Sequence, residues 1–235
     1  MLARMALCPR SLIELAVTDA SPDTLAAALE RHNIALPPEQ LAQLDQYVTL
    51  LWEWNEKLNL TRHTDYEKFV GRDLADTLEL SKLLHAGEEV LDVGTGGGVP
   101  GVVLAILRPD LKVTACESVG KKALAVKDIV KRAGIPAEVH NCRAETLLDD
   151  NRYDAAIARA VGPLYKFCMW FKDEWASIGR LLAVKGPSWT EERHEAREKG
   201  LLNDLQIRVA ASYPMPGTQS QSVILKVWPK GAPEK

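Results

Sequence analysis

The sequence predicts an α/β fold: a seven-stranded, mostly parallel, doubly wound sheet preceded by a helical N-terminal addition. Three observations carry this expectation. Residues 88–93 form a short apolar strand pattern, Gly94-Thr-Gly-Gly-Gly-Val-Pro-Gly101 is a tight turn, 102–107 is apolar at helical spacing, and 111–116 is a second strand followed by Glu117. That order places a nucleotide-type ligand at the carboxyl edge of a parallel sheet. Strand and helix patterns then alternate as βαβ units do. The last two strand patterns, 205–213 and 222–228, are joined by a loop with Pro214, Pro216 and Gly217. It leaves no room for a helix, so these strands close the sheet as an antiparallel hairpin.

The elements follow in order. Residues 1–20 are an extension without a fold role in the pattern. Pro9 and Arg10 interrupt its apolar stretch, which argues against a signal peptide, and no apolar run approaches membrane length. Ser21-Pro22-Asp23 opens a small helix to His32. Pro37-Pro38-Glu39 opens a longer one, with Leu41, Leu44, Val48, Leu51 and Leu58 at helical spacing. Its Trp52 and Trp54 are read as packing residues. Tyr66, Phe69, Val70, Leu74, Leu78 and Leu84 mark a further helix that carries Arg72 and Asp76. The helical addition is therefore 21–85 and the sheet domain 86–230, in one compact unit. Helix 119–133 carries Lys121, Lys122, Lys127, Lys131 and Arg132, either a solvated face or an edge that meets phosphates. Strand 136–141 precedes Cys142-Arg143-Ala144-Glu145, and strand 153–158 precedes Arg159-Ala160-Val161. An aromatic-rich helix covers 164–177, a fifth strand 179–184 runs into Lys185-Gly186-Pro187, and 190–200 is a charged helix.

The turn suggests which ligand fits. Glycines turn the chain at positive φ and let a ligand approach without a Cβ in the way. A dinucleotide pattern counted from Gly94 and Gly96 requires glycine at 99, where the residue is Val99. Asp92, just before the turn, repels a pyrophosphate and suits an ammonium or sulfonium. S-adenosyl-L-methionine carries both charges and no phosphate, while a nicotinamide dinucleotide, or a plain strand–helix connection, stays open on these residues. Glu117 can accept both ribose hydroxyls. Glu145 can accept an adenine amino group or simply favour a helix N-terminus. Arg159, at the end of the fourth strand, is catalytic, substrate-positioning or a structural ion-pair partner.

Composition narrows the class. The chain has 235 residues, 46% hydrophobic, with a formal net charge of −3. Without a global basic excess, any nucleic-acid contact must come from a local patch. Cys8, Cys116, Cys142 and Cys168 form no CxxC pair, and three read as reduced core thiols, consistent with a cytoplasmic protein. The five histidines form no ligand motif, so no metal is expected. Nothing suggests a coiled coil or a large apolar stripe, and a monomer is expected.

Several blocks together resemble one family. Asp92-Val-Gly-Thr-Gly-Gly-Gly-Val-Pro-Gly101, Glu117-Ser-x-x-Lys-Lys122, Arg143-Ala-Glu145, Arg159-Ala160 and Ala183-Val-Lys-Gly186 are similar to the bacterial 16S ribosomal RNA guanine-N7 methyltransferases, also called the glucose-inhibited division protein B family. Trp54-Asn55, Asn59-Leu60-Thr61 and Arg72 with Asp76 resemble it too, so the likeness runs from about Leu25 to Trp228. It implies a class I S-adenosylmethionine-dependent methyltransferase fold acting on the small-subunit RNA. It further implies cofactor contacts at Gly94 and Val99, with Gly96 on the same turn, and at Ala144, Glu145 and Arg159, with Glu117 as the ribose acid. Asp92 would complete the cofactor site, Arg159 would orient donor or base, and Lys185 and the 121–132 helix (Lys121, Lys122) would face RNA. Two positions depart from the family: Asp73 stands where a histidine is usual, and Thr218-Gln-Ser-Gln-Ser222 where basic residues are common.

What is missing bears on the chemistry. Exocyclic amino methylation often uses an Asn/Asp-Pro-Pro-aromatic block after strand four, where this chain reads Ala158-Arg159-Ala160-Val161. Pyrimidine C5 methylation needs a cysteine nucleophile, and Cys168 falls inside a helix. Guanine N7 already offers a lone pair and needs neither device. The major groove of A-form RNA is closed to side chains, so the guanine should come from a loop or be splayed out. Rival readings are a methyltransferase for another substrate, a nicotinamide oxidoreductase, and a non-catalytic ribosome-assembly factor.

Overall fold

The computed structural model describes residues 23–216 and 219–232. The extension at 1–20, Ser21-Pro22 of the expected helix start, Cys8, Gly217 and Thr218 lie outside the described residues. Seven strands form one sheet in the order β3-β2-β1-β4-β5-β7-β6. They are β1 Glu89–Val93, β2 Lys112–Cys116, β3 Ala137–His140, β4 Ala155–Arg159, β5 Leu181–Lys185, β6 Leu205–Pro214 and β7 Gln221–Pro229. The first five pair in parallel, and β7 runs antiparallel to both β5 and β6. The hairpin joining β6 and β7 is thus as the short loop requires. The sequence order reverses between β1 and β4, which opens a crevice at the carboxyl edge of the sheet.

Side chains alternate across a strand, so neighbouring residues feed opposite cores. Val90, Ala155, Ile157 and Leu182 face one core, with Leu25 and Ala28 of α1 (Leu25–Arg31), Leu44 and Leu51 of α2 (Pro38–Asn55), and Leu104 and Val126 from the helices after β1 and β2. Leu91, Ala156, Ala158 and Leu181 face the other, with Leu148, Leu164, Phe167 and Ala196. The helical N-terminal residues therefore share a core with one face of the sheet. α2 also reaches across by its glutamines. Gln40 donates to Leu107 O at 3.2 Å, and Gln43 to Ala133 O at 3.1 Å and Gly134 O at 3.0 Å. These are free carbonyls at the ends of α5 (Gly101–Leu107) and α6 (Gly120–Arg132), which otherwise lack helical partners.

Three local expectations shift. The first helix is capped by Thr24, whose Oγ1 accepts the Ala27 N–H at 3.2 Å, so it starts two residues after Asp23. The helix expected over 66–84 runs from α3 (Tyr66–Lys68) through a π-helical stretch, Phe69–Leu74, into α4 (Ala75–Ser81). The helix expected over 164–177 ends early. α7 (Ala144–Leu148) is followed after β4 by α8 (Leu164–Trp170), then a 3₁₀ turn at Trp175–Ser177, and α9 is Trp189–Glu198. Beyond the 3₁₀ turn, Ser177 O accepts the Tyr153 N–H at 2.9 Å and Ile178 bridges to Tyr153, which leads the chain into β5.

One ion pair ties the amino ends of the strands. Arg180 is 1% exposed and bonds both Glu88 oxygens, at 3.0 and 2.8 Å, with Leu83 O at 2.9 Å. Removing one partner strands a buried charge. Arg180→Ala is expected to cost about 3–5 kcal/mol in urea unfolding; a loss below about 1 kcal/mol would show the pair to be dispensable.

Candidate functional site

The glycine turn is shaped from both sides. Gly94, Gly96 and Gly98 have φ of +68°, +60° and +106°, which side-chain-bearing residues rarely adopt. A Cβ on Gly97 would lie 2.9 Å from Leu51 Cδ1, and the Tyr47 hydroxyl donates to Gly97 O at 2.9 Å. α2 thus lies directly on the turn. Burial pushes the Tyr47 hydroxyl well above its ordinary pKa, so it stays a donor. Gly101, out of register for a dinucleotide pattern, has its own reason. Its N–H donates to Asp92 Oδ2 at 2.9 Å, and a Cβ there would meet the Asp92 side chain at 2.5 Å.

Asp92 is therefore fully buried beneath the turn and does not line the adjoining pocket. Its Oδ1 makes no hydrogen bond. Burial, only partly offset by the neighbouring Thr95 hydroxyl and the Gly101 N–H, lifts its pKa from 3.8 to about 6. Glu117 is also buried, and it ties two backbone turns together: Oε2 accepts Gly96 N–H at 3.2 Å and Oε1 accepts Val119 N–H at 2.8 Å.

Beside the turn lies a pocket of about 240 Å³, lined by Val93, Gly94, Cys116, Ser118, Cys142, Arg143, Ala144, Glu145, Val161 and Trp170. A Cβ on Gly94 would approach Val161 to 3.0 Å. The size suits one nucleoside-like group, below the roughly 300–1,000 Å³ usual for larger ligands. Gly94, Ala144 and Glu145 are brought together here as expected. Val99 instead belongs to the core under α2, and neither Gly96 nor Glu117, to which the Gly96 N–H donates, lines the pocket. Trp170 escaped the sequence reading. Its ring packs edge-on to Phe167, one turn earlier in α8, with centroids 5.4 Å apart, and the packing of α8 brings it to the pocket.

A larger cleft of about 1,400 Å³ opens on the other side of the loop after β4, with Arg159, Ala160 and Gly162 on its wall. Arg62, Lys68, Arg72 and Lys122 line it, with His63, Asp76, Lys185 and Glu192. Lys121, also assigned to RNA, is exposed on α6 outside this lining. Lys185 is buried, its ammonium held by Glu192 at 2.8 Å and Gly162 O. Ala160 holds φ +55°, a strained setting for a residue with a Cβ, at the junction of pocket and cleft.

Arg159 is anchored rather than free. It pairs with Asp73 Oδ1 at 2.5 Å and Asp76 Oδ2 at 3.1 Å; Asp73 Oδ2 also meets His63 Nδ1 at 2.9 Å, and Tyr213 OH donates to Asp76 Oδ1 at 2.7 Å. Burial opposes the Arg159 charge, but the two carboxylates outweigh it and hold its pKa above the ordinary value. Burial likewise raises the Tyr213 hydroxyl far above its usual range, and Asp76 adds to the effect. Asp73 is thus a second ligand for this guanidinium, beside Asp76.

This sheet order, the glycine turn and the acid after β2 define a class I S-adenosylmethionine-dependent methyltransferase. The fold is shared with a solved MtNAS variant in complex with S-adenosylmethionine: TM-score 0.53, 15% identity, 87% of this chain and 78% of that one. More specifically, the chain belongs to the GidB family, described as rRNA small subunit methyltransferase G, whose family pattern matches residues 40–215. It is 48% identical over 188 residues to a Rhodopirellula baltica protein named ribosomal RNA small subunit methyltransferase G, covering 80% of this chain and 81% of that one. A Pseudomonas aeruginosa protein of the same name is 35% identical over 213 residues, covering 89% and 96%. The cofactor of this enzyme class is S-adenosylmethionine.

The raised pKa of Asp92 has a sign. Between pH 4 and 6 the folded protein keeps a proton that the unfolded chain has released, so stability falls as pH rises. Above that window the buried carboxylate costs about 2–3 kcal/mol. Asp92→Asn keeps an oxygen for Gly101 and should gain stability over wild type steadily from pH 4 to 6 in urea unfolding. A difference that stays constant across that range would contradict the assignment.

Proposed function

We propose that this protein transfers a methyl group from S-adenosylmethionine to N7 of a guanine in 16S ribosomal RNA of the small subunit. One observation carries the reading: the loop Arg159–Gly162 is the common wall of a nucleoside-sized pocket and a wide cleft with three lining cations that have no carboxylate partner among the described contacts, Arg62, Arg72 and Lys122, beside Lys68, which Asp65 pairs at 2.6 Å. A donor on one side and an RNA strand on the other meet across that loop. The names of the Rhodopirellula and Pseudomonas relatives support RNA of the small subunit as the substrate.

On this reading Gly94, Ala144 and Glu145 hold the adenosyl group and Glu117 its ribose. Gly96, Val99 and Asp92 keep the turn in shape from behind. The cofactor, when bound, supplies a methyl on a sulfonium; the N7 lone pair forms the new bond, the S–C pair returns to sulfur, and the positive charge passes to the purine. No proton leaves N7, so no general base is required, which agrees with a loop that has no Asn/Asp-Pro-Pro block. What the chain must supply is alignment, and held geometry can lower a barrier by roughly 7–11 kcal/mol. Lys122 with Arg62, Lys68 and Arg72 neutralises RNA phosphates; Lys121 extends that edge. The enzyme works in the cytoplasm as a monomer.

Mass analysis of small-subunit RNA incubated with enzyme and labelled cofactor is expected to find 7-methylguanosine. Label confined to an exocyclic nitrogen or a ribose would refute the N7 assignment. Separately, Glu117→Ala is expected to weaken S-adenosylmethionine binding by about 1–3 kcal/mol in calorimetry, through loss of charge-assisted hydrogen bonds. Unchanged affinity would remove Glu117 from the site.

A further inference from the structure

We propose that the Asp76–Arg159 pair reads the Watson–Crick edge of the target base and so selects guanine. The inference deepens the guanine-N7 reading and rests on it. A base attacked at N7 cannot be gripped there, and an arginine fork on O6 and N7, the common guanine contact, would cover the nucleophile. The opposite edge remains, and it presents two donors, N2–H and N1–H, followed by the O6 acceptor.

The cleft offers the complement of that pattern. Two carboxylates line it, Asp76 and Glu192. Glu192 Oε2 is taken by Lys185 at 2.8 Å and by the Leu164 N–H at 2.8 Å. Asp73 is 1% exposed, with its oxygens bonded to His63 and Arg159. Asp76 differs in standing beside the Arg159 fork: its side chain is 15% exposed, and each oxygen carries one bond, from Tyr213 to Oδ1 and from Arg159 to Oδ2. A carboxylate oxygen accepts two, so two accepting positions remain for two donors on one base edge. Beside them Arg159 Nη1 keeps a second N–H for O6. Acceptor, acceptor, donor therefore stand in a row, and the Tyr213 and Asp73 contacts fix the row before the base arrives. Adenine presents an acceptor at N1 and is mismatched at the centre. Asp76 is then the base-reading residue; Tyr213 and Asp73 are positioning residues.

The test is a product ratio. Small subunits are reconstituted from transcripts in which a small share of guanosines is replaced by inosine, which keeps N7, O6 and N1–H but lacks the 2-amino group. Wild-type enzyme is expected to yield 7-methylinosine at least about tenfold below its share of the template, the discrimination of a bidentate contact. Asp76→Asn is expected to be slower and to bring that ratio within about threefold of the template, with S-adenosylmethionine affinity retained in calorimetry as evidence of an intact fold. If Asp76→Asn yields too little product to measure, Tyr213→Phe carries the test, because it leaves the carboxylate but removes its anchor; the exclusion should relax about threefold. Equal use of inosine by wild type, or undiminished exclusion in the variant that is measured, would overturn the proposal while 7-methylguanosine still forms. Absence of 7-methylguanosine with wild type would instead overturn the N7 reading beneath it.

Discussion

The Arg159 guanidinium, shared between Asp73 and Asp76, is the interaction on which the site depends. It joins the last residue of β4 to a π-helical stretch and the helix after it, more than eighty positions earlier in the chain. An arginine this buried is costly unless paired, and two carboxylates and a tyrosine hydroxyl complete its surroundings. The π stretch has a local consequence: it buries Asp73 while Asp76 stays at the cleft. Wider turns of this kind recur at functional sites, and here one lies next to the two acids, three positions apart, that share Arg159.

Another helix of the N-terminal portion shapes the glycine turn beside the pocket. α2 presses Leu51 and Tyr47 onto the glycine turn, so its backbone is held from above, while Asp92 holds the start of α5 from below. The turn is rigid because side chains fill the space that missing Cβ atoms leave. The helical addition is therefore part of both halves of the site, which explains why one hydrophobic core runs through it and the sheet.

Much of this was legible in the sequence because it is local. Glycines, strand-terminal acids and apolar runs lie within a few residues of each other, and they point to the seven strands, the closing hairpin, the turn and the pocket-lining Gly94 and Glu145. What escaped depends on contacts between distant residues. The Arg180–Glu88 pair spans 92 positions, and no pattern near either residue announces it. The entry into β5 is set by Tyr153 on a neighbouring segment, which bonds Ser177 and bridges to Ile178. Lys185, which the resemblance turns toward RNA, is buried with its ammonium on Glu192. Asp92 was read as facing a cation because it adjoins the turn, whereas its side chain bonds Gly101 instead, a choice set by where α5 begins.

The account stands on the adenosyl donor and the RNA base meeting across the Arg159–Gly162 loop. A crystal structure of the protein with S-adenosylmethionine tests this most directly. The account predicts the adenine and ribose between Gly94, Ala144 and Glu145, with the methyl directed toward the cleft that holds Asp76. A donor lying elsewhere, or one whose methyl is sealed from that cleft, would contradict it.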